Sequence, residues 1–386
     1  MTKITSLIEE TIVKLDVPVA EEIVKLSALD QQAQRTYGQF MIAFQLQDAT
    51  THSNAEIVKH LKTSLSMALT NVPDLASTVF PVIGSTRNEL ELRLGPESGA
   101  VFRNSAHLLD RPDPATITAA STVWYFDSSS LRALRNSIAE SQIENASELT
   151  QSEALSALIW KHLSRARLLD TKYPPEATSL FSTRIDYRGR MKPAFDDYFV
   201  GNINEPNARV RLSIRKVCST STPDSLALLG QAIRIVTQEM GEDAVRTFIG
   251  AVNRLPKVTD LSWDYDTYPG PDLTVTDLSS SDMLRQDWGP LNHATFLRTA
   301  SREKGLVCVL PQDRDGGLEV QIQCEHDAVK RLRDDPIFAQ YADLKGFRAR
   351  KLEILAIVHA SQMIGYAISS LYTIFKTKGL EVDCSG

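Results

Sequence analysis

The chain has 386 residues, of which 42% are hydrophobic and 23% charged, the balance of a soluble globular protein with two ordinary domains. Its net charge of −6 and its isoelectric point of about 5.7 argue against nucleic acid as the main partner. The four cysteines form no CxxC pair, so we expect reduced thiols and neither a disulfide framework nor a zinc site.

The N-terminal segment carries acids where a signal peptide needs an apolar core, so we expect a cytoplasmic protein. Residues 26–46 predict a turn at Ser27-Ala-Leu29-Asp30 and then a strand over Phe40–Phe44. Ser53, with Glu56 three residues later, has the pattern of a capping box and predicts a helix that Pro73 ends.

Further along, alternation predicts strands at Leu90–Leu94 and Thr122–Phe126, and Ser128 begins a helix. Thr150 and Glu153 form a second capping box, which begins a helix with His162 in its apolar stripe. A histidine in such a place is typical of a buried core residue that has hydrogen-bond partners.

Two more helices are predicted from the Pro at 223 and over 242–255, followed by a strand over 273–276. The Asp315-Gly-Gly317 sequence predicts a hairpin between strands 306–310 and 318–324, and 326–333 reads as a short helix.

The tail from 344 to 386 has a basic start and a largely apolar stretch over 352–375. That stretch has the length of a bilayer span, but its polar residues favour a packed amphipathic helix over a tail anchor, with weak membrane association as the alternative.

The stretch from Phe181 to Asn204 concentrates unusual chemistry. Residues Phe181 to Arg188 alternate enough to predict a strand. Asp186, Arg188 and Arg190 have two-residue spacing, which in an extended chain places them on one face. Two interpretations stay open: the acid and the arginines lock a loop, or a guanidinium binds a phosphate.

This central block, Asp-x-Arg-x-Arg followed by Pro193 and by Tyr-Phe-x-Gly-Asn202, resembles that of the BAHD family of acyl-CoA-dependent acyltransferases. Ser27, Leu29 and Asp30 match a further family element. The altered motif Asp287-Trp288-Gly289 resembles the family's Asp-Phe-Gly-Trp-Gly, which supports the structure. The details look most like the fungal branch that acylates secondary metabolites such as trichothecenes.

The resemblance implies an α/β fold of two domains with mixed sheets, of the chloramphenicol acetyltransferase type. It places the domains at about 1–120 and 121–343, with the tail as an addition. It also implies acyl-CoA as co-substrate and a hydroxyl-bearing small molecule as acceptor. No metal or nucleotide motif accompanies it.

One part of the family pattern is missing. Acyl transfer needs a base near the nucleophile, which the family supplies from a His-x-x-x-Asp motif, and none of the seven histidines here has an aspartate four residues later. The gap falls near 109–116, so the first domain looks shortened. His107, followed by Asp110, is the weak candidate base beside it, and His293 is the other.

Three alternatives follow from this gap. The chain is an acyltransferase whose catalytic segment was lost or skipped, a relative that binds the family's ligands without acyl transfer, or an acyltransferase with another base. A catalyst of a different step, such as a cyclisation, is a further alternative.

Overall fold

The computed structural model describes residues 7–32, 37–44, 53–105, 120–195, 199, 201–262, 264–288, 293–299, 305–345 and 354–361. The strands in chain order are β1 (Leu7–Lys14), β2 (Glu22–Lys25), β3 (Tyr37–Phe44), β4 (Thr78–Pro81), β5 (Leu90–Leu94), β6 (Gly99–Ser105), β7 (Ala120–Phe126), β8 (Thr178–Thr183), β9 (Ala208–Ser213), β10 (Leu273–Asp277), β11 (Ala294–Thr299), β12 (Leu306–Val309), β13 (Leu318–Cys324), β14 (Asp343–Lys345) and β15 (Ile354–Ser361).

The helices are α1 (Ala28–Gln31), α2 (Asn54–Asn71), α3 (Ser128–Ala139), α4 (Gln151–Ala166), α5 (Leu169–Lys172), α6 (Ile214–Val217), α7 (Pro223–Glu239), α8 (Glu242–Arg254) and α9 (His326–Arg333). Both predicted capping boxes are present, Ser53 with Glu56 on α2 and Thr150 with Glu153 on α4. Each pair satisfies backbone N–H groups that a helix start otherwise leaves without partners.

A mixed sheet of seven strands dominates the molecule, in the order β14-β7-β13-β12-β10-β8-β9. Strand β10 pairs parallel with both β8 and β12, whereas the other pairings in this sheet are antiparallel. The predicted hairpin between β12 and β13 is confirmed, and Asp313 organises its turn by accepting the backbone N–H groups of Asp315 and Gly317.

Helices α3, α4, α7 and α9 supply the largest apolar core together with this sheet. Trp160 and Leu158 on α4 are fully buried, and so are Val275 and Val320 on the sheet. Burying each such side chain stabilises the fold by roughly 1.5–3 kcal/mol, so α4 is the central support of the sheet.

Three smaller sheets use the remaining strands, in the orders β1-β6, β2-β5-β4 and β11-β3-β15. The first two come entirely from the first 105 residues. The third joins distant parts of the chain, because β3 pairs antiparallel with both β11 and β15.

The helix predicted for the tail is wrong over residues 354–361, which form β15. There the chain pairs antiparallel with β3 along its whole length, from Ile354 opposite Phe44 to Ser361 opposite Tyr37. Backbone pairing with an open strand edge overrode a helical pattern that was visible only locally. The rest of the 352–375 stretch lies outside the described residues, and none of the helices within them has the length and apolar composition to cross a bilayer.

Candidate functional site

The chain bends immediately after β8, which changes the predicted geometry of Asp186, Arg188 and Arg190. The strand ends at Thr183, and Arg188–Arg190 form a 3-10 turn rather than an extended run with three side chains on one face. The Asp186 carboxylate causes the bend, because its Oδ1 accepts the backbone N–H of Arg188 at 3.0 Å.

Asp186 also holds the guanidinium of Arg188. Nη2 of Arg188 lies 2.7 Å from Oδ2, and Nε donates to both carboxylate oxygens at 3.1 and 3.2 Å. Burial raises the pKa of Asp186, but the hydrogen bonds and positive charge of Arg188 outweigh it, so the net pKa lies below its ordinary value. The carboxylate therefore stays ionised and holds the turn near neutral pH.

Arg190 reaches across to the C-terminal end of α7. Its Nη1 donates to the carbonyl oxygens of Thr237 and Met240, both at 2.6 Å. A cation at a helix C-terminus satisfies carbonyls that have no partner within the helix and interacts favourably with the dipole. These contacts hold the loop against the end of α7, as the first interpretation expects. A role of Arg190 in binding a CoA phosphate stays a prediction.

Asn202 links the segment that contains Ser27, Leu29 and Asp30 to the central block. Its side-chain amide donates to the carbonyl of Leu29 at 2.9 Å, and its backbone N–H donates to Oδ1 of Asp30 at 2.8 Å. The other oxygen of Asp30 accepts from the N–H and hydroxyl of Ser27, which completes the cap of α1. Two segments 172 residues apart in sequence thus form one hydrogen-bonded unit.

A small apolar cluster lies beneath this unit. Tyr187 is fully buried in it, together with Leu29, Ile185 and Ile203. The Tyr187 hydroxyl donates to the carbonyl of Pro206 at 2.5 Å, and burial raises the pKa of this phenol well above its ordinary value. The apolar side chains of the block therefore hold its charged side chains in place.

The altered motif at Asp287-Trp288 lies where distant segments pack together. The Trp288 indole N–H donates to the carbonyl of Met283 at 3.2 Å, and its ring packs on a cluster with Ile42, Ile57 and Cys308. That cluster joins β3 and α2 to the large sheet, and the structural role that the motif implies for Trp288 stays a prediction. Gly289 lies outside the described residues.

His293 immediately precedes β11 and is half-buried. Its Nδ1 lies 2.8 Å from the carbonyl oxygen of Gln286. Since a carbonyl only accepts hydrogen bonds, Nδ1 carries the proton, and Nε2 of the neutral ring is a proton acceptor. The other candidate base, His107, lies outside the described residues, so the structure does not place it relative to the central block.

His162 is buried, as expected for the apolar face of α4, and it has partners on both sides of the ring. Its Nδ1 lies 2.7 Å from Oδ2 of Asp335, and its Nε2 lies 2.9 Å from the hydroxyl of Ser221. The sequence indicated the burial but neither partner, because they lie 173 and 59 residues away.

The described thiols are buried and unpaired, and burial raises the pKa of Cys308 and of Cys324 to about 12 and that of Cys218 to about 11. Such thiols are unreactive at neutral pH. Within the described ranges, no group of three or more His, Cys, Asp or Glu side chains is arranged to hold a metal ion.

The known proteins to which this chain is similar are transferases and acyltransferases. Residues 109–337 match the model of the Transferase family. Acyltransferase easC of Emericella nidulans is 35% identical over 474 residues, covering 87% of this chain and 98% of that protein. Acyltransferase cm3D of Cordyceps militaris is 35% identical over 487 residues, covering 87% of this chain and 100% of that protein.

Among solved structures, the fold is similar to that of F. sporotrichioides TRI101 complexed with coenzyme A and T-2. The TM-score is 0.66 at 14% sequence identity, and the match covers 84% of this chain and 100% of TRI101. At this identity the similarity concerns the fold alone.

Proposed function

The chain belongs to the BAHD family of acyltransferases, and from this premise we propose that it is by descent an acyl-CoA-dependent O-acyltransferase of fungal secondary metabolism. Its acceptor is a hydroxyl-bearing small molecule, and acyl-CoA is its co-substrate. The observation that carries the proposal is the contact of Asn202 with Leu29 and Asp30, because it joins the two segments that match the family's motifs. The division into domains near residue 120 belongs to the same proposal.

The catalytic base is the group for which the chain lacks the family's motif, and we infer that a missing segment accounts for its absence. Transfer from a thioester to a hydroxyl needs a group that takes the hydroxyl proton, and no histidine in the chain has the family's spacing to aspartate. The alignment with easC extends over 474 residues, more than the 386 of this chain. This difference supports the proposal that the relatives carry residues which this chain lacks.

We place the missing segment near residues 109–116, beside His107. A chain without its positioned base loses roughly 10²–10⁴-fold in rate, while binding of acyl-CoA depends on other groups. We therefore expect the 386-residue chain to bind CoA but to transfer acyl groups at a small fraction of its relatives' rate.

A second candidate function follows from the same absence. A family member without the base is a ligand-binding protein, which holds acyl-CoA or the acceptor without turnover. The missing His-x-x-x-Asp motif favours this alternative if the sequence of the chain matches its natural message.

The first experiment is to sequence the full-length message across the codons for His107 to Thr122 and beyond Ala342. The 386-residue chain and the product of that message are then compared for CoA binding by calorimetry and for acyl-CoA consumption with hydroxylated acceptors. An extra in-frame segment with His-x-x-x-Asp that restores turnover supports the acyltransferase. A message identical to this chain, with CoA binding but no turnover, supports the binding protein, and absence of CoA binding in both products refutes both.

A further inference from the structure

Three side chains away from the motif segments form a chain of hydrogen bonds. His162 comes from the middle of α4, Ser221 immediately precedes the cap of α7, and Asp335 follows α9. The Ser221 hydroxyl lies 2.9 Å from Nε2 of His162, and Asp335 Oδ2 lies 2.7 Å from Nδ1. Both distances fall in the range of a nucleophile, its base and the acid that orients the base.

The protonation of this group follows from its partners. A carboxylate only accepts hydrogen bonds, so Nδ1 of His162 carries the proton and Nε2 accepts from the Ser221 hydroxyl. Burial lowers the pKa of His162 more than Asp335 raises it, so the ring is neutral at neutral pH. For Asp335, burial raises the pKa, but the hydrogen bonds that its carboxylate accepts from His162 and from the backbone N–H groups of Ile337 and Phe338 outweigh it and keep the carboxylate ionised.

The base is the most deeply buried of the three residues. His162 is 1% exposed and packs against Phe338, whereas Ser221 and Asp335 are both half-buried. The base is therefore shielded from water, while the serine that carries the nucleophilic hydroxyl is partly exposed.

Two cationic side chains and the N-terminus of a helix lie near Ser221. Helix α7, 17 residues long, begins at Pro223 and points its N-terminus toward this segment of the chain. Lys161 and Arg165, which flank His162 on α4, donate to carbonyls of residues 217–219. Fixed positive charge near the serine stabilises negative charge that develops on an attacked carbonyl oxygen.

We propose that Ser221, His162 and Asp335 form a second reactive site, distinct from the proposed acyl-CoA chemistry, that takes acyl groups from small activated esters and hydrolyses them. Oγ of Ser221 attacks the ester carbonyl carbon while its proton passes to Nε2 of His162. The alcohol leaves with that proton, which gives an acyl-serine. Water then attacks the acyl-serine, its proton passes through His162 back to Oγ, and the free acid departs.

The test uses the full 386-residue chain with a fluorophosphonate probe and with p-nitrophenyl acetate. Peptide mass spectrometry locates the adduct, and the burst of p-nitrophenol measures acylation. We expect one adduct, on Ser221, that is lost in Ser221→Ala and retained in Thr220→Ala, the matched control that removes the neighbouring exposed hydroxyl. Asp335→Asn should slow acylation by roughly 10²–10⁴-fold, because the histidine is no longer held in the reactive tautomer.

The pH dependence separates this site from an accessible but unactivated serine. The acylation rate should rise with pH as His162 loses its proton. This should occur below the ordinary pKa of 6.5, because burial and the positive charges of Arg165 and Lys161 lower the pKa of His162 more than Asp335 raises it. The pH profile serves even if Asp335→Asn fails to fold. An unmodified folded protein, an adduct elsewhere, or an acylation rate that shows no fall toward acid pH anywhere in the range where the protein stays folded overturns the proposal.

Discussion

Replacing Arg190 by alanine distinguishes a structural arginine from one that binds phosphate. In the folded protein its guanidinium donates to the carbonyls of Thr237 and Met240, both at 2.6 Å. Alanine removes both hydrogen bonds and the cation from the end of α7, while the backbone turn at 188–190 remains.

The expected cost follows from the exposure of the site. Hydrogen bonds to charged groups contribute about 1.5–3 kcal/mol each where water is excluded, but Arg190 is exposed and water replaces most of that contribution. A cation at a helix C-terminus contributes about 0.3–1 kcal/mol. We therefore expect Arg190→Ala to lower the free energy of unfolding by about 1–2 kcal/mol.

The assay is urea unfolding at constant pH, paired with CoA binding by calorimetry on the same samples. Arg188→Ala is the matched control, because its ion pair with Asp186 is partly exposed and such pairs contribute about 0–1 kcal/mol. If Arg190→Ala unfolds like the wild type and loses CoA affinity, the helix-end reasoning is wrong and the arginine binds phosphate.

Three further predictions test other parts of the fold. Thr150→Ala removes the cap of α4 and should cost about 1 kcal/mol in urea unfolding, whereas Thr150→Ser should retain most of it; equal losses would contradict the capping role. Burial lowers the pKa of His162 in the folded protein, whereas in the unfolded state it stays near its ordinary value of 6.5. As the pH falls below 6.5, the unfolded state therefore takes up a proton before the folded state does. The free energy of unfolding should therefore fall toward acid pH by up to about 1.4 kcal/mol per unit from this residue, and His162→Gln should flatten that slope between pH 6.5 and 5.5; an unchanged slope would assign it to other groups. A Cβ at Gly317 would clash with the ring and hydroxyl of Tyr125, so Gly317→Ala should destabilise the β12–β13 hairpin by about 1–3 kcal/mol, and a melting temperature equal to that of the wild type would refute the clash.

Elements whose signals lie within a few residues were predictable. The capping boxes at Ser53 and Thr150, the Pro that starts α7 and the glycines between β12 and β13 each act over three or four positions, so the sequence displays both partners together. The same holds for the apolar stripe of α4, which correctly indicated that His162 is buried.

The secondary-structure predictions were wrong where a side-chain contact or a distant strand overrode the local sequence pattern. Asp186 binds the N–H of Arg188 and bends a segment whose alternation predicted extension. In the tail, residues 354–361 pair with β3, although their composition favoured a helix. Local helix preference is overridden in such a case because one strand pairing supplies hydrogen bonds to a whole row of backbone groups.

The sequence by itself determined the family, the α/β class and most helix and strand positions, because motif residues and periodic patterns are local properties of the chain. Only the tertiary structure decided the partners of Asn202, Arg190 and His162, which come from residues 47 to 173 positions away. Periodicity predicts which face of a helix or strand is buried, but it does not predict which distant side chain contacts that face. The protonation and hydrogen bonding of these residues depend on those distant contacts.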